Sequence, residues 1–106
     1  MTVMKVIWQT NADRQRDRIA EYIRDEFGSK RRRQFLQEVQ QMTQQLKRSP
    51  YIGQIDPLFE DRSATYRSVI INGLNKIVYR IEDDTIHIVA FWDTRMEPEE
   101  QAAKVK

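Results

Sequence analysis

Arg67, Lys76, Arg80 and His87 lie close together in the second half of this chain. The first three fall within or at the edge of the run YRSVIINGLNKIVYR (residues 66–80), which reads as two short strands joined by a turn. Cations gathered on one sheet face make a positive field suited to a phosphate backbone or to carboxylates. A histidine among them could carry a proton. Whether they gather depends on register, because side chains alternate faces along a strand.

With Gly73-Leu74 as the turn, Arg67 faces Arg80; with Asn72-Gly73 as the turn, it faces Val78. In either case Arg67, Val69, Ile71, Lys76, Val78 and Arg80 share a face. A second hairpin centred on Asp83-Asp84 sets His87 opposite Arg80, Val89 opposite Val78 and Phe91 opposite Lys76. One predicted face therefore carries Arg67, Lys76, Arg80, His87 and Phe91, with Asp93 and Arg95 continuing it. The other carries Tyr66, Ile70, Ile77, Tyr79, Ile81, Ile86, Ile88, Ala90 and Trp92 and forms the core. Phe91 on the basic face could stack on a base or belong to a small second core. Arg67 and Arg80 could equally pair with Glu60, Asp61 or Asp93. Like charges on neighbouring strands cost a few tenths to about 1 kcal/mol per opposed pair.

Elements to hold this sheet are legible upstream. Val3–Trp8 is a short β-branched run. Thr10 and Asp13 have the spacing of a capping box at the start of a helix. That helix puts Ala12, Ile19, Tyr22, Ile23 and Phe27 on one side and stops at Gly28. Ser29 can cap a second helix, whose stripe is Phe35, Val39, Met42 and Leu46, ending at Ser49-Pro50. The two should form an antiparallel hairpin. Residues 50–64 read as a loop, followed by strands at about 65–71, 76–81 and 85–92. The predicted fold is α+β, one domain over 1–106, ordered β-α-α-β-β-β with a short closing helix after Pro98. The helical hairpin packs on one face of a small, mainly antiparallel sheet.

Composition narrows the chemistry. The 106 residues contain no cysteine and one histidine, which excludes disulfides, thiolate zinc sites and a cysteine nucleophile. No nucleotide loop, metal-ligand cluster or serine triad is present, and no cofactor is expected. The start lacks a signal peptide and no segment approaches a membrane span, so a cytoplasmic location is expected. Net charge is +2, yet residues 1–48 hold eleven Lys/Arg against six Asp/Glu, while 49–106 hold seven against ten. Lys30, Arg31, Arg32 and Arg33 open the second helix, where its dipole disfavours each cation by roughly 0.3–1 kcal/mol. They are either a site for an acidic partner or phosphate, or a solvated face.

The ordered set Ala12, Ile19, Tyr22-Ile23, Phe35, Leu46, Pro50, Gly53, Tyr66-Arg67, Ile77–Ile81 and Arg95 resembles the RelE/ParE superfamily of toxins from bacterial toxin–antitoxin modules. The resemblance runs from about Val3 to Pro98. It implies a growth-blocking toxin neutralised by a cognate antitoxin protein, acting either on ribosome-bound mRNA as an endoribonuclease or on DNA gyrase. In the ribonuclease branch, Arg67, Lys76 and Arg95 fall where basic residues assist attack of the 2′-hydroxyl on the scissile phosphate. Arg80 joins them from the face reading alone. Gln101 stands where that branch often has a tyrosine as base, and an amide cannot take a proton usefully; His87 is the substitute candidate. Arg16 replaces a usual leucine in the first helix. Alternatives are a non-toxic protein-binding module of the same fold, or a generic RNA-binding domain, although the strands lack the aromatic signature of an RNA-recognition motif.

Overall fold

A computed structural model describes residues 4–94. The elements are β1 (Lys5–Trp8), α1 (Thr10–Phe27), α2 (Ser29–Arg48), β2 (Gln54–Ile55), a 3-10 turn (Pro57–Phe59), β3 (Arg67–Ile71), β4 (Asn75–Glu82) and β5 (Thr85–Asp93). They form an α+β fold whose five-stranded sheet runs β1-β5-β4-β3-β2. β1 pairs parallel with β5, and the other ladders are antiparallel. The helix expected after Pro98 lies outside the described residues. No described helix is long and apolar enough to cross a membrane.

The helices form as their periodicity dictates, but not through the caps that Thr10 and Ser29 suggested. Thr10 and Ser29 are each the first helical residue, preceded by Gln9 and Gly28, and neither helix start has a side-chain cap. Gly28 alone joins the helices. Its φ of 93° is a left-handed value that favours glycine, and its N–H closes α1 on the Arg24 carbonyl at 2.9 Å. A one-residue joint leaves no room for a separate cap at each helix. From α2, Phe35, Val39 and Leu46 are buried, with Met42 packed beside them.

Two features of the sheet overturn the predicted faces. The β3–β4 turn spans three residues, because Ile71 pairs with Asn75 and Arg67 with Tyr79. Asn72 and Gly73 both take positive φ, and the Leu74 N–H bonds the Ile71 carbonyl at 3.2 Å. An odd turn moves all of β3 to the opposite face from either two-residue register. The second feature is a bulge. Val78 pairs with Ala90 and Tyr79 with Ile88, which leaves Val89 unpaired. Arg80 still faces His87 as expected, but beyond the bulge Phe91 faces Ile77 and Trp92 faces Lys76.

The helix-side core therefore contains Ile71, Ile77, Tyr79, Ile86, Ile88 and Phe91. Tyr66, Ala90 and Trp92, expected there, instead join Phe59, Val78 and Val89 in a second cluster. The 57–66 segment supplies Phe59, Leu58 and Tyr66 to this cluster, so the second sheet face is partly roofed rather than open. Ile70, also expected in the core, is half exposed. A direct consequence is that Phe91→Ala should cost about 3–5 kcal/mol in urea unfolding, whereas Ile70→Ala should change stability by no more than about 0.5 kcal/mol. A two-residue β3–β4 turn together with an unbulged β5 would require the reverse.

Candidate functional site

Arg67 stands on the helix side of the sheet, beyond the end of α2. Its Nη1 donates to the Gly53 carbonyl at 2.8 Å, and its guanidinium carbon lies 5.0 Å from the centre of the Tyr51 ring. The same corner holds the Tyr79 hydroxyl, which donates to the Pro50 carbonyl at 2.8 Å and accepts the Gly53 N–H at 3.0 Å. Three side chains thus fasten the turn after α2 to the sheet. Burial raises the Tyr79 pKa above 10, outweighing the opposing pulls of the Gly53 N–H and the Arg67 charge. A raised folded value means that stability is complete below the unfolded pKa, near 10, and is lost as pH rises through the folded value. Far-ultraviolet circular dichroism should therefore report alkaline unfolding above about pH 10, with a smaller alkaline slope in Tyr79→Phe.

Lys76 sits on the other face. Its Nζ is 2.6 Å from Asp56 Oδ2, with the lysine side chain 13% and the aspartate 4% exposed. Asp56 Oδ1 accepts the Leu58 N–H at 3.0 Å, and the Asp56 N–H bonds the Tyr66 carbonyl at 2.9 Å. The ion pair ties the 57–66 segment to the sheet. Arg80 and His87 share this face four residues further along β4, roughly 13 Å from Lys76 by strand rise. Arg80 Nη1 donates to Glu82 Oε2, and His87 Nε2 lies 3.8 Å from the same oxygen. The Arg80 hydrogen bond and charge hold the exposed Glu82 carboxyl below the usual range.

The expected cluster is thus divided. Lys76, Arg80 and His87 share one face, and Arg67 occupies the other. Phe91 is fully buried, edge-on to Phe35 at 5.8 Å and 5.9 Å from Trp8, so it offers no stacking surface. Lys30 to Arg33 lie in the first turns of α2. Arg95 and Gln101 fall outside the described residues.

A different concavity opens between the helical hairpin and the β3–β4 turn. This groove of about 780 Å³ is lined by Ile19, Tyr22, Phe27, Arg18, Arg31 and Leu74, among others, and reaches Asp93 at the end of β5. Tyr22 is 59% exposed and Phe27 62%, in an edge-to-face contact at 6.4 Å, and Leu74 is 51% exposed. Exposed aromatics around an apolar floor, with two arginines and the carboxylates of Glu38 and Asp93 at the margin, suit a partner with apolar anchors and a mixed polar rim. Sequence reasoning assigned Tyr22 and Phe27 to the core face. The signals against that were positional: Tyr22 lies on the edge of the α1 apolar stripe, and Phe27 is the last residue of the helix.

A family model described as "ParE toxin of type II toxin-antitoxin system, parDE" matches residues 6–98. Among solved structures the fold is similar to the "Chromosomal ParDE TA system from P. aeruginosa". That match has a TM-score of 0.69 and 15% identity, covering 86% of this chain and 96% of the other. No curated protein matches this sequence.

Proposed function

The chain belongs to the ParE toxin family of type II toxin–antitoxin systems, and on that premise we propose that it arrests growth by poisoning DNA gyrase. The observation that carries this reading over mRNA cleavage is the division of the basic residues between two sheet faces. Strand cleavage by the 2′-hydroxyl needs cations and a base converging within hydrogen-bond reach of one phosphate. Here Arg67 is bound to Gly53 and Tyr51, Lys76 to Asp56, and Arg80 to Glu82. We assign Arg67 and Lys76 to holding the fold. The ribonuclease reading retains one observation in its favour, the apposition of Arg80 and His87 on one face. In it Arg67, Lys76, His87 and Arg95 would act on the phosphate.

The cognate antitoxin docks in the groove between α1, α2 and the β3–β4 turn. Shape and apolar exposure support this: Tyr22, Phe27 and Leu74 form an exposed apolar rim, around which Arg18 and Arg31 alternate with Glu38 and Asp93. Truncating both aromatics (Tyr22→Ala with Phe27→Ala) should weaken antitoxin binding at least about tenfold by calorimetry, with helix content unchanged.

The functional test is induced expression in a bacterial host, with mRNA 5′ ends and chromosome breaks mapped within minutes. Arrest with breaks and no early cuts inside codons supports the gyrase reading. Arrest with codon-internal cuts that Arg80→Ala or His87→Ala abolishes transfers the function to the ribonuclease reading.

A further inference from the structure

α2 carries six cations, Lys30 to Arg33 with Lys47 and Arg48, against a single carboxylate, Glu38. Glu38 is engaged, accepting from the Asn72 side chain at 3.0 Å. None of the six cations forms an ion pair among the described residues. The helix tolerates its opening cations against the dipole because Lys, Arg and Gln are good helix formers.

The arrangement of the outer face is more specific than its charge. Lys30, Arg33, Gln37, Gln41, Gln44 and Arg48 recur at intervals of three and four and form one row directly opposite the buried Phe35–Val39–Leu46 stripe. All six are exposed. At 1.5 Å per residue the row is roughly 27 Å long. It contains no carboxylate, so every side chain in it can donate a hydrogen bond to an anion. It also contains no apolar or aromatic residue. A protein partner would need an apolar anchor at the centre of the contact, and single-stranded nucleic acid would need stacking platforms. Arginine, lysine and glutamine are among the side chains that contact phosphate oxygens and fix a protein on a duplex without reading its sequence.

We propose that the solvent face of α2 binds the phosphate backbone of duplex DNA, without sequence preference. Lys30 and Arg33 at one end and Arg48 at the other carry the ionic contacts, and the glutamines between them donate to further phosphates. The groove assigned to the antitoxin opens between the hairpin and the sheet, and this row faces away from the sheet. The proposal does not depend on the gyrase reading.

The test uses the full chain and a fluorescent 20-base-pair duplex of mixed sequence, with no gyrase present, by anisotropy over a range of salt concentrations. About three neutralised phosphates give a slope of log K against log salt of about −3. Arg33→Glu with Arg48→Glu should lower affinity at least about tenfold and flatten the slope by about two, with circular dichroism and antitoxin affinity unchanged. Gln41→Glu, a milder change, should lower affinity in the same direction. Absence of salt-dependent binding by the parent chain would overturn the proposal. So would undiminished binding by the double variant, or equal or tighter binding of the matching single strand or of duplex RNA. Failure here with gyrase still poisoned would leave the functional reading intact.

Discussion

Lys76→Ala will destabilise the protein by about 3–5 kcal/mol, more than most single substitutions, because it strands the Asp56 carboxylate in a site that is 4% exposed. The loss comes from an uncompensated buried charge rather than from the attraction of the pair. Replacing both partners with apolar residues of similar size, Lys76→Met with Asp56→Leu, should therefore recover most of the loss. Recovery will be incomplete, since Asp56 also accepts the Leu58 N–H at the start of the 57–59 turn. Urea unfolding of the two single variants and the double variant measures this as a cycle. A catalytic lysine would behave differently, its removal costing activity and little stability.

Gly53→Ala is the second large effect, expected to cost about 3 kcal/mol or more. A Cβ built at Gly53 would stand 2.5 Å from the Tyr79 hydroxyl oxygen and 2.9 Å from both Ser68 O and Tyr79 Cε1. Ser68 O is backbone in the β3 ladder and Tyr79 is fully buried, so neither can yield cheaply. Relief requires moving the 50–53 turn off the sheet. That move breaks both Tyr79 hydrogen bonds and the Arg67 bond to Gly53, each worth about 1–3 kcal/mol when a buried partner is left unsatisfied. Tyr79→Phe should cost less, about 1–3 kcal/mol, because it removes only the hydroxyl. Gly73→Ala sits in open space and carries only its backbone penalty at a φ of 75°. Thermal melts of the three variants should rank Gly53→Ala lowest.

Helix periodicity was readable because it is local. Phe35, Val39 and Leu46 must lie on one face whatever surrounds them, and the element order follows from where such patterns start and stop. The second hairpin was readable too, since Asp83-Asp84 allowed one register, with Arg80 opposite His87. Register at the first hairpin was not. INGLN admits a two-residue turn at either of two places or a three-residue turn spanning both, and the choice rests on which set of β3 side chains the helices accept. Val69 and Ile71 pack there, and Ile70 does not. The bulge at Val89 has no local signal in an unbroken apolar run, yet it turns Phe91 from the basic face into the core. Two one-residue irregularities were enough to divide a cluster that alternation alone had drawn together. The corner of Tyr79, Gly53 and Arg67 was only half visible. Gly53 and Arg67 stood out, but their link passes through a tyrosine hydroxyl 26 residues away in sequence from Gly53.

The proposed target of this toxin is gyrase and not mRNA. The most direct test incubates the purified chain with DNA gyrase, ATP and relaxed plasmid, with and without the antitoxin, and resolves topoisomers and linear DNA after detergent and protease. Gyrase poisoning should give loss of supercoiling, linear plasmid accumulating in proportion to toxin, and reversal of both by stoichiometric antitoxin. Normal supercoiling with no linear product would contradict it, decisively so if the same preparation cut mRNA on translating ribosomes.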